Sequence, residues 1–209
     1  MANKGKLNLI EALLGICMGV SGLLLLGYLL WGSVPSLASP PATATPSTST
    51  QAVIDLWDAF EQARAAARVE AGDAQLVSAS TQWQAASEEA LLDGADNWSF
   101  VFYAPASGNA FDVIMSTGAA RVVNQTQVWV APKTLVEGAW RAGPRDALLV
   151  FLAYGGRAFL DEHPQAVVDL HLDERDDGGP VWTIVALDSE DRSLVSLLVD
   201  TETKQVLSE

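Results

Sequence analysis

The chain has 209 residues, 49% of them hydrophobic, and a formal net charge of −14 at pH 7. This acidic excess argues against a nucleic-acid-binding protein, because binding to phosphates depends on Lys and Arg, and against docking on an anionic lipid surface. Cys17 is the single cysteine of the sequence. The fold must therefore be held by a packed apolar core and not by disulfides.

An almost unbroken apolar run lies near the start of the chain and extends from Leu9 to Trp31. Its 23 residues are enough to cross a hydrocarbon core about 30 Å thick. Lys4 and Lys6 precede the run, which predicts a cytoplasmic N-terminus and an extracytoplasmic C-terminal domain. We therefore predict a single-pass protein of the cell membrane that contacts the bilayer through residues 9–31. The alternative is a signal peptide that is cleaved after Ala38.

Small residues within this run and a biased segment after it carry two further predictions. Gly15, Gly19 and Gly22 are candidate helix-pairing residues, because glycine lets another membrane helix approach closely. Residues 33–50 are rich in Pro, Ser, Thr and Ala and contain no charged side chain. Such a composition cannot bury enough apolar surface to fold, so it predicts an extended linker.

Beyond the linker, two segments have the periodicity of amphipathic helices, and a strand pattern follows each of them. The predicted helices are Val53–Ala71, with Val53, Trp57, Phe60, Ala63 and Ala67 on one stripe, and Pro144–Phe159, with Leu148, Phe151, Leu152 and Phe159 inward. Gly155 and Gly156 predict an end or a kink in the second helix. The predicted strands are Leu76–Trp83 and Ala166–Leu172, and in the second one apolar residues alternate with polar ones.

A repeated pattern follows each helix and strand. Trp98–Val123 aligns without a gap on Trp182–Leu207, a segment of 26 residues that begins 84 positions later. Each copy opens with Trp, forms a strand, a polar turn and a second apolar strand, and ends with a turn that contains Thr and a short third strand. The pattern predicts a duplicated β-meander, with the segment Asn124–Ala142 connecting the two copies.

The residues of this repeat resemble the PepSY domain, a small α+β module of peptidase propeptides and of membrane-anchored regulators of cell-wall hydrolases. The resemblance is carried by Trp182–Val185 with Leu197–Leu207, and by Trp98–Tyr103 with Val113–Val123. Together with the membrane span predicted above, it implies an α+β fold with one N-terminal transmembrane helix and two PepSY-like units, each with a helix packed on an antiparallel β-meander. The implied division is an anchor (1–32), the linker (33–50), a first repeat (51–130) and a second repeat (131–209).

The sequence contains no constellation that predicts catalysis, a metal or a cofactor. The two histidines, His163 and His171, lie in a predicted loop and on the polar side of a predicted strand. The acidic run 173–178 fails as a calcium loop, because Arg175 occupies its third position and Ile184 its twelfth, where a bidentate Glu is needed. We therefore predict a protein that is not an enzyme.

Trp129 and Trp140, both in the connector between the copies, are the candidate partner-binding residues, because exposed aromatics often anchor interfaces. The alternative is that these two side chains pack over the sheet. We predict a membrane-anchored extracytoplasmic binding or regulatory module that binds or inhibits a protein or peptide client such as a peptidase or hydrolase. The alternative is an accessory structural subunit of a larger membrane protein complex, held in part by a transmembrane helix partner.

Overall fold

The structure is a computed structural model that describes residues 53–175 and 179–207. The helices are α1 (Leu56–Glu70), α2 (Glu88–Asp93), α3 (Pro144–Phe151) and α4 (Arg157–Glu162), and a π-helical turn (Leu152–Gly156) joins the last two. The strands are β1 (Gln75–Trp83), β2 (Asn97–Ala104), β3 (Asn109–Ser116), β4 (Ala119–Gln127), β5 (Val167–Glu174), β6 (Pro180–Asp188) and β7 (Ser193–Asp200).

All seven strands belong to one antiparallel sheet in the order β4-β3-β2-β1-β5-β6-β7. β1 pairs with β5, with Thr81 opposite Leu170 at the centre of the contact and Ser80 opposite His171 beside it. The predicted fold class, two PepSY-like units that each have a helix packed on a β-meander, is therefore wrong, because the strands form a single seven-stranded sheet. Strands β1 and β5 would each be an open edge in separate units, and their pairing satisfies both rows of backbone donors and acceptors.

The predicted membrane anchor has no counterpart in the part of the chain that the structure describes. Among residues 53–175 and 179–207, no helix has the length and apolar character needed to cross a membrane. The predicted fold class included a transmembrane helix, so it is corrected in this respect as well. The run Leu9–Trp31, with Gly15, Gly19 and Gly22, and the predicted linker lie outside the described residues. The predicted location of the protein stays a prediction.

The core lies on one face of the sheet, beneath α1 and α3. Alternate residues of the strands point into it and are almost fully buried; they include Trp98, Phe100, Phe102, Phe111, Val113, Leu170, Leu172 and Ile184. The predicted inward residues of β5 and of the second helix are among the buried residues. This arrangement follows from the two-residue period of a half-buried strand.

The start of α1 differs from the prediction. Val53 and Trp57 are 56% and 42% exposed, whereas Phe60, Ala63 and Ala67 are buried as predicted. The helix begins at Leu56, because the carboxylate of Asp55 accepts hydrogen bonds from the backbone N–H groups of Trp57 and Asp58. An Asp in this capping position fixes the first turn, and it leaves Val53 ahead of the helix.

The second predicted helix is interrupted, as its two glycines indicated. Tyr154 and Gly155 have non-helical backbone angles, and Gly155 has a φ of 107°. A side chain at Gly156 would place its Cβ 2.6 Å from Cδ1 of Phe151. Gly155 thus allows the change of direction, and Gly156 allows the buried ring of Phe151 to pack against the backbone.

The two tryptophans of the repeated pattern occupy equivalent places. Both side chains are buried, and their rings lie 6.4 Å apart. The indole N–H of Trp98 donates to the carbonyl of Ile54 (3.3 Å), and that of Trp182 donates to the carbonyl of Ala142 (2.8 Å). Each carbonyl lies two residues before the first residue of a helix, α1 or α3. Each tryptophan therefore ties the start of one helix to the sheet.

Candidate binding edge

The two outer strands of the sheet differ in how they are covered. β7 is partly covered by the chain that follows it, because Val199 bridges to Val206 and the N–H of Leu207 donates to the carbonyl of Leu198 (2.9 Å). β4 is nine residues long, and no strand of the described residues pairs with its outer side. Most of its side chains are exposed. β4 is therefore the open edge of this sheet.

The hairpin of β3 and β4 determines which groups of β4 face outward. Ser116 and Ala119 pair beside a two-residue turn, the position of a hydrogen-bonded pair in such hairpins. The alternation of pairs then directs the backbone N–H and C=O groups of Ala120 and Val122 away from β3. These groups can pair with an additional strand.

Apolar side chains lie in and just beyond this edge. Trp129 is 94% exposed and Val130 is 82% exposed, and Val123 within β4 is about half exposed. The N–H of Val128 donates to the carbonyl of Gly108 (2.9 Å), which holds the chain beside the β2–β3 turn where β4 ends. Trp129 is thus exposed and does not pack over the sheet, and its role in binding a partner stays a prediction. The exposure of Val130 was not anticipated.

Trp140 is not part of this edge. Its side chain is 2% exposed, its ring stacks on that of Trp57 at 4.4 Å, and it meets Phe60 edge-on at 5.8 Å. The backbone N–H groups that follow it, on Arg141 and Ala142, both donate to the carbonyl of Thr201. The connector is thereby fastened to the end of β7, and Trp140 fills the core. The burial of Trp140 agrees with the alternative of packing over the sheet and not with an exposed contact residue.

A cluster of three polar side chains forms where His163, just after α4, meets the turn between β6 and β7. Sequence reasoning missed this cluster. Nδ1 of His163 lies 3.1 Å from Asp188 and 3.4 Å from Asp191. These three side chains are close enough to hold a metal ion. Asp188 also accepts hydrogen bonds from the backbone N–H groups of Glu190 and Asp191, so its carboxylate shapes the turn. Asp at the head of a polar turn is the sequence signal for this role.

The carboxylate of Asp188 in this turn should make the stability of the fold depend on pH under acidic conditions. The backbone N–H of Glu190, followed by that of Asp191 and by His163, holds the pKa of Asp188 below its ordinary value of 3.8. A carboxyl with a lowered pKa in the folded state stabilises the fold above that ordinary value and loses its contribution as pH falls through the folded-state pKa. The free energy of unfolding, measured with urea, should fall from about pH 5 to about pH 2.

The matched control for this pH dependence is Asp191→Asn, since Asp191 is mainly exposed. Asp188→Asn should flatten the acid limb of the stability curve more than Asp191→Asn does. The pKa of Asp200 is also lowered, mainly by the backbone N–H of Thr203, so part of the slope should remain. Equal slopes in the wild-type chain and in Asp188→Asn would contradict the assignment.

Comparisons with protein-family models, with curated proteins and with solved structures find no significant match for this chain. The resemblance to the PepSY domain therefore stays a prediction that depends on the residues quoted above.

Proposed function

We propose that this protein is a non-catalytic binding module that captures an extended segment of a partner protein by strand addition on β4. The observation that carries the proposal is the open edge of β4 with the exposed Trp129 directly after it. In strand addition, backbone hydrogen bonds supply affinity and side-chain contacts supply specificity. Ala120 and Val122 would supply the hydrogen bonds, and Trp129 would be the apolar anchor.

The charge of the chain supports a partner segment that is neutral or basic. The net charge is −14, while β4 itself contains one charged residue, Arg121. Long-range attraction to an acidic protein speeds the approach of a basic partner, and salt weakens that attraction. The association rate should therefore fall as ionic strength rises. On the PepSY resemblance, a peptidase or a cell-wall hydrolase is the client class to test first.

The proposal assigns no catalytic role to the polar residues of the fold. His163 is engaged by Asp188 within a turn, and His171 lies near Asp173 (3.5 Å) on the open face of the sheet. Ser80 lies opposite His171 in β1, but among the described residues no hydrogen bond joins the two side chains. Robust hydrolytic activity of the purified chain would contradict this part of the proposal.

The first test compares side-chain variants in a binding assay. The immobilised chain is used to capture a partner from cell-envelope extract, and the dissociation constant of the captured protein is then measured. Trp129→Ala should weaken binding by more than about 1 kcal/mol, because an exposed aromatic anchor loses its buried contact area. Leu194→Ala is the matched control, since Leu194 is also exposed (60%) but lies on β7.

The second test blocks the edge itself. Ala120→Pro removes an outward N–H and places a proline ring in the path of an added strand, while proline is tolerated on the solvent side of an edge strand. We expect affinity to fall by at least about tenfold, with an unchanged melting temperature. Binding that survives both Ala120→Pro and Trp129→Ala would refute the proposal. A captured complex that stays stoichiometric through purification would favour the accessory-subunit alternative.

A further inference from the structure

A cavity of about 180 Å³ lies apart from the candidate binding edge, and none of its lining residues belongs to β4. It forms where the first residues of α1 and α3 meet the short helix α2. Apolar side chains make up most of its wall; the main ones are Val53, Leu56, Trp83, Leu91, Trp98 and Leu148. Four of these, Leu56, Leu91, Trp98 and Leu148, are almost fully buried.

The polar groups of the two tryptophans in this wall are already paired. The indole N–H of Trp83 donates to the carbonyl of Gly94 (3.0 Å), and that of Trp98 donates to the carbonyl of Ile54. Within the described residues, no buried side-chain nitrogen or oxygen lacks a hydrogen-bond partner. A water molecule in a cavity needs two to four polar partners, and the buried part of this wall has no unpaired side-chain group to offer. The interior therefore favours an apolar occupant.

The charged residues that line the cavity are exposed and carry one net negative charge. Asp55 caps α1 through the backbone N–H groups of Trp57 and Asp58. Arg145 donates to the carbonyl of Leu92 in α2, and Asp93 follows that residue. Two carboxylates and one guanidinium at the opening disfavour a ligand with a negative charge.

We propose that this cavity is a binding site for a small aromatic or branched aliphatic molecule that is neutral or cationic. An apolar cavity of about 150 Å³ is large enough to stay dry and bind benzene, so this one accepts a single six-membered ring with a short substituent. Helix α2 forms one wall, and Arg157 of α4 holds it through two hydrogen bonds of 2.6 Å to the carboxylate of Glu88. The site is independent of the β4 edge.

The test is an NMR titration of the full chain with three probes of one ring size. Benzyl alcohol, benzylamine and benzoate are neutral, cationic and anionic. We expect saturable shifts of the methyl signals of Val53, Leu91 and Leu148 with the first two probes, and binding of benzoate that is weaker by about tenfold. Asp55→Asn keeps a capping side chain and should reduce this preference. Absence of saturable shifts at these methyl groups with every probe would overturn the proposal.

Filling the cavity provides the second arm of the test. Leu148→Phe places a larger side chain in the wall, whereas Leu149→Phe changes the next residue of α3, which is 45% exposed. We expect Leu148→Phe to weaken benzyl alcohol binding by at least about tenfold and Leu149→Phe to leave it unchanged. Leu91→Phe fills the cavity from α2 and replaces Leu148→Phe if that variant does not fold. Unchanged binding of benzyl alcohol to a folded variant with a filled cavity would overturn the proposal. If neither variant folds, the methyl shifts of the wild-type chain with the three probes test the proposal by themselves.

Discussion

Replacing Trp182 with Ala is expected to lower the free energy of unfolding by about 3–5 kcal/mol, the usual cost of removing a large buried aromatic. The side chain is fully buried, and its indole N–H donates to the carbonyl of Ala142 at 2.8 Å. Truncation therefore leaves a cavity between β6 and the start of α3, and it also leaves a buried carbonyl without its donor. Trp98→Ala should have a similar cost, because Trp98 makes the same connection to the start of α1.

Urea unfolding of Trp182→Ala, Trp98→Ala and Trp182→Phe tests this expectation. Trp182→Phe keeps a ring but removes the N–H, so its cost should be smaller than that of Ala. Trp129→Ala is the exposed control and should change stability by no more than about 0.5 kcal/mol. A loss below about 1 kcal/mol for both buried tryptophans would show that they do not tie the helices to the sheet.

Local patterns in the sequence predicted most of the individual elements. β5 illustrates the reason, because Val168, Leu170 and Leu172 are buried while Asp169 and His171 are less buried. A strand that packs one face on a core can be predicted from this alternation of apolar and polar residues, whichever strands pair with it. The interruption at Gly155 was predictable on similar grounds, since glycine readily adopts a positive φ.

The assembly of these elements was not predictable from the same patterns. Alternation shows which side chains point inward, but it does not identify the strand that lies alongside. β1 has the period of a half-buried strand whether its neighbour is β2 alone or both β2 and β5. The pairing of Gln82 with Asp169, which are 87 residues apart and joined by a side-chain hydrogen bond of 2.7 Å, is a long-range contact. Such contacts decide between one sheet and two units, and they leave no local signature.

Local sequence patterns also could not predict which tryptophan of the connector is exposed at the candidate site. Trp129 and Trp140 lie in one connector, and no periodicity of the sequence distinguishes them. Their difference arises from tertiary packing, since Trp140 meets the rings of Trp57 and Phe60 on α1, whereas Trp129 is almost fully exposed.

Trp140→Ala is therefore expected to act on stability and not on a binding surface. The side chain is 2% exposed, so its truncation should lower the free energy of unfolding by about 3–5 kcal/mol. Trp57→Ala should cost less, because Trp57 is 42% exposed. The two rings stack at 4.4 Å, and an aromatic pair of this kind contributes about 0.5–1.5 kcal/mol beyond the area it buries.

A double-mutant cycle measures that contribution directly. Urea unfolding of Trp57→Ala, Trp140→Ala and the double variant should give a coupling energy of about 0.5–1.5 kcal/mol, since contacting residues are not additive. Partner binding by folded Trp140→Ala should match that of the wild-type chain, while Trp129→Ala should be as stable as the wild type and weaker in binding. The reverse result, with Trp140→Ala stable and defective in binding, would place Trp140 on the surface and overturn its assignment to the core.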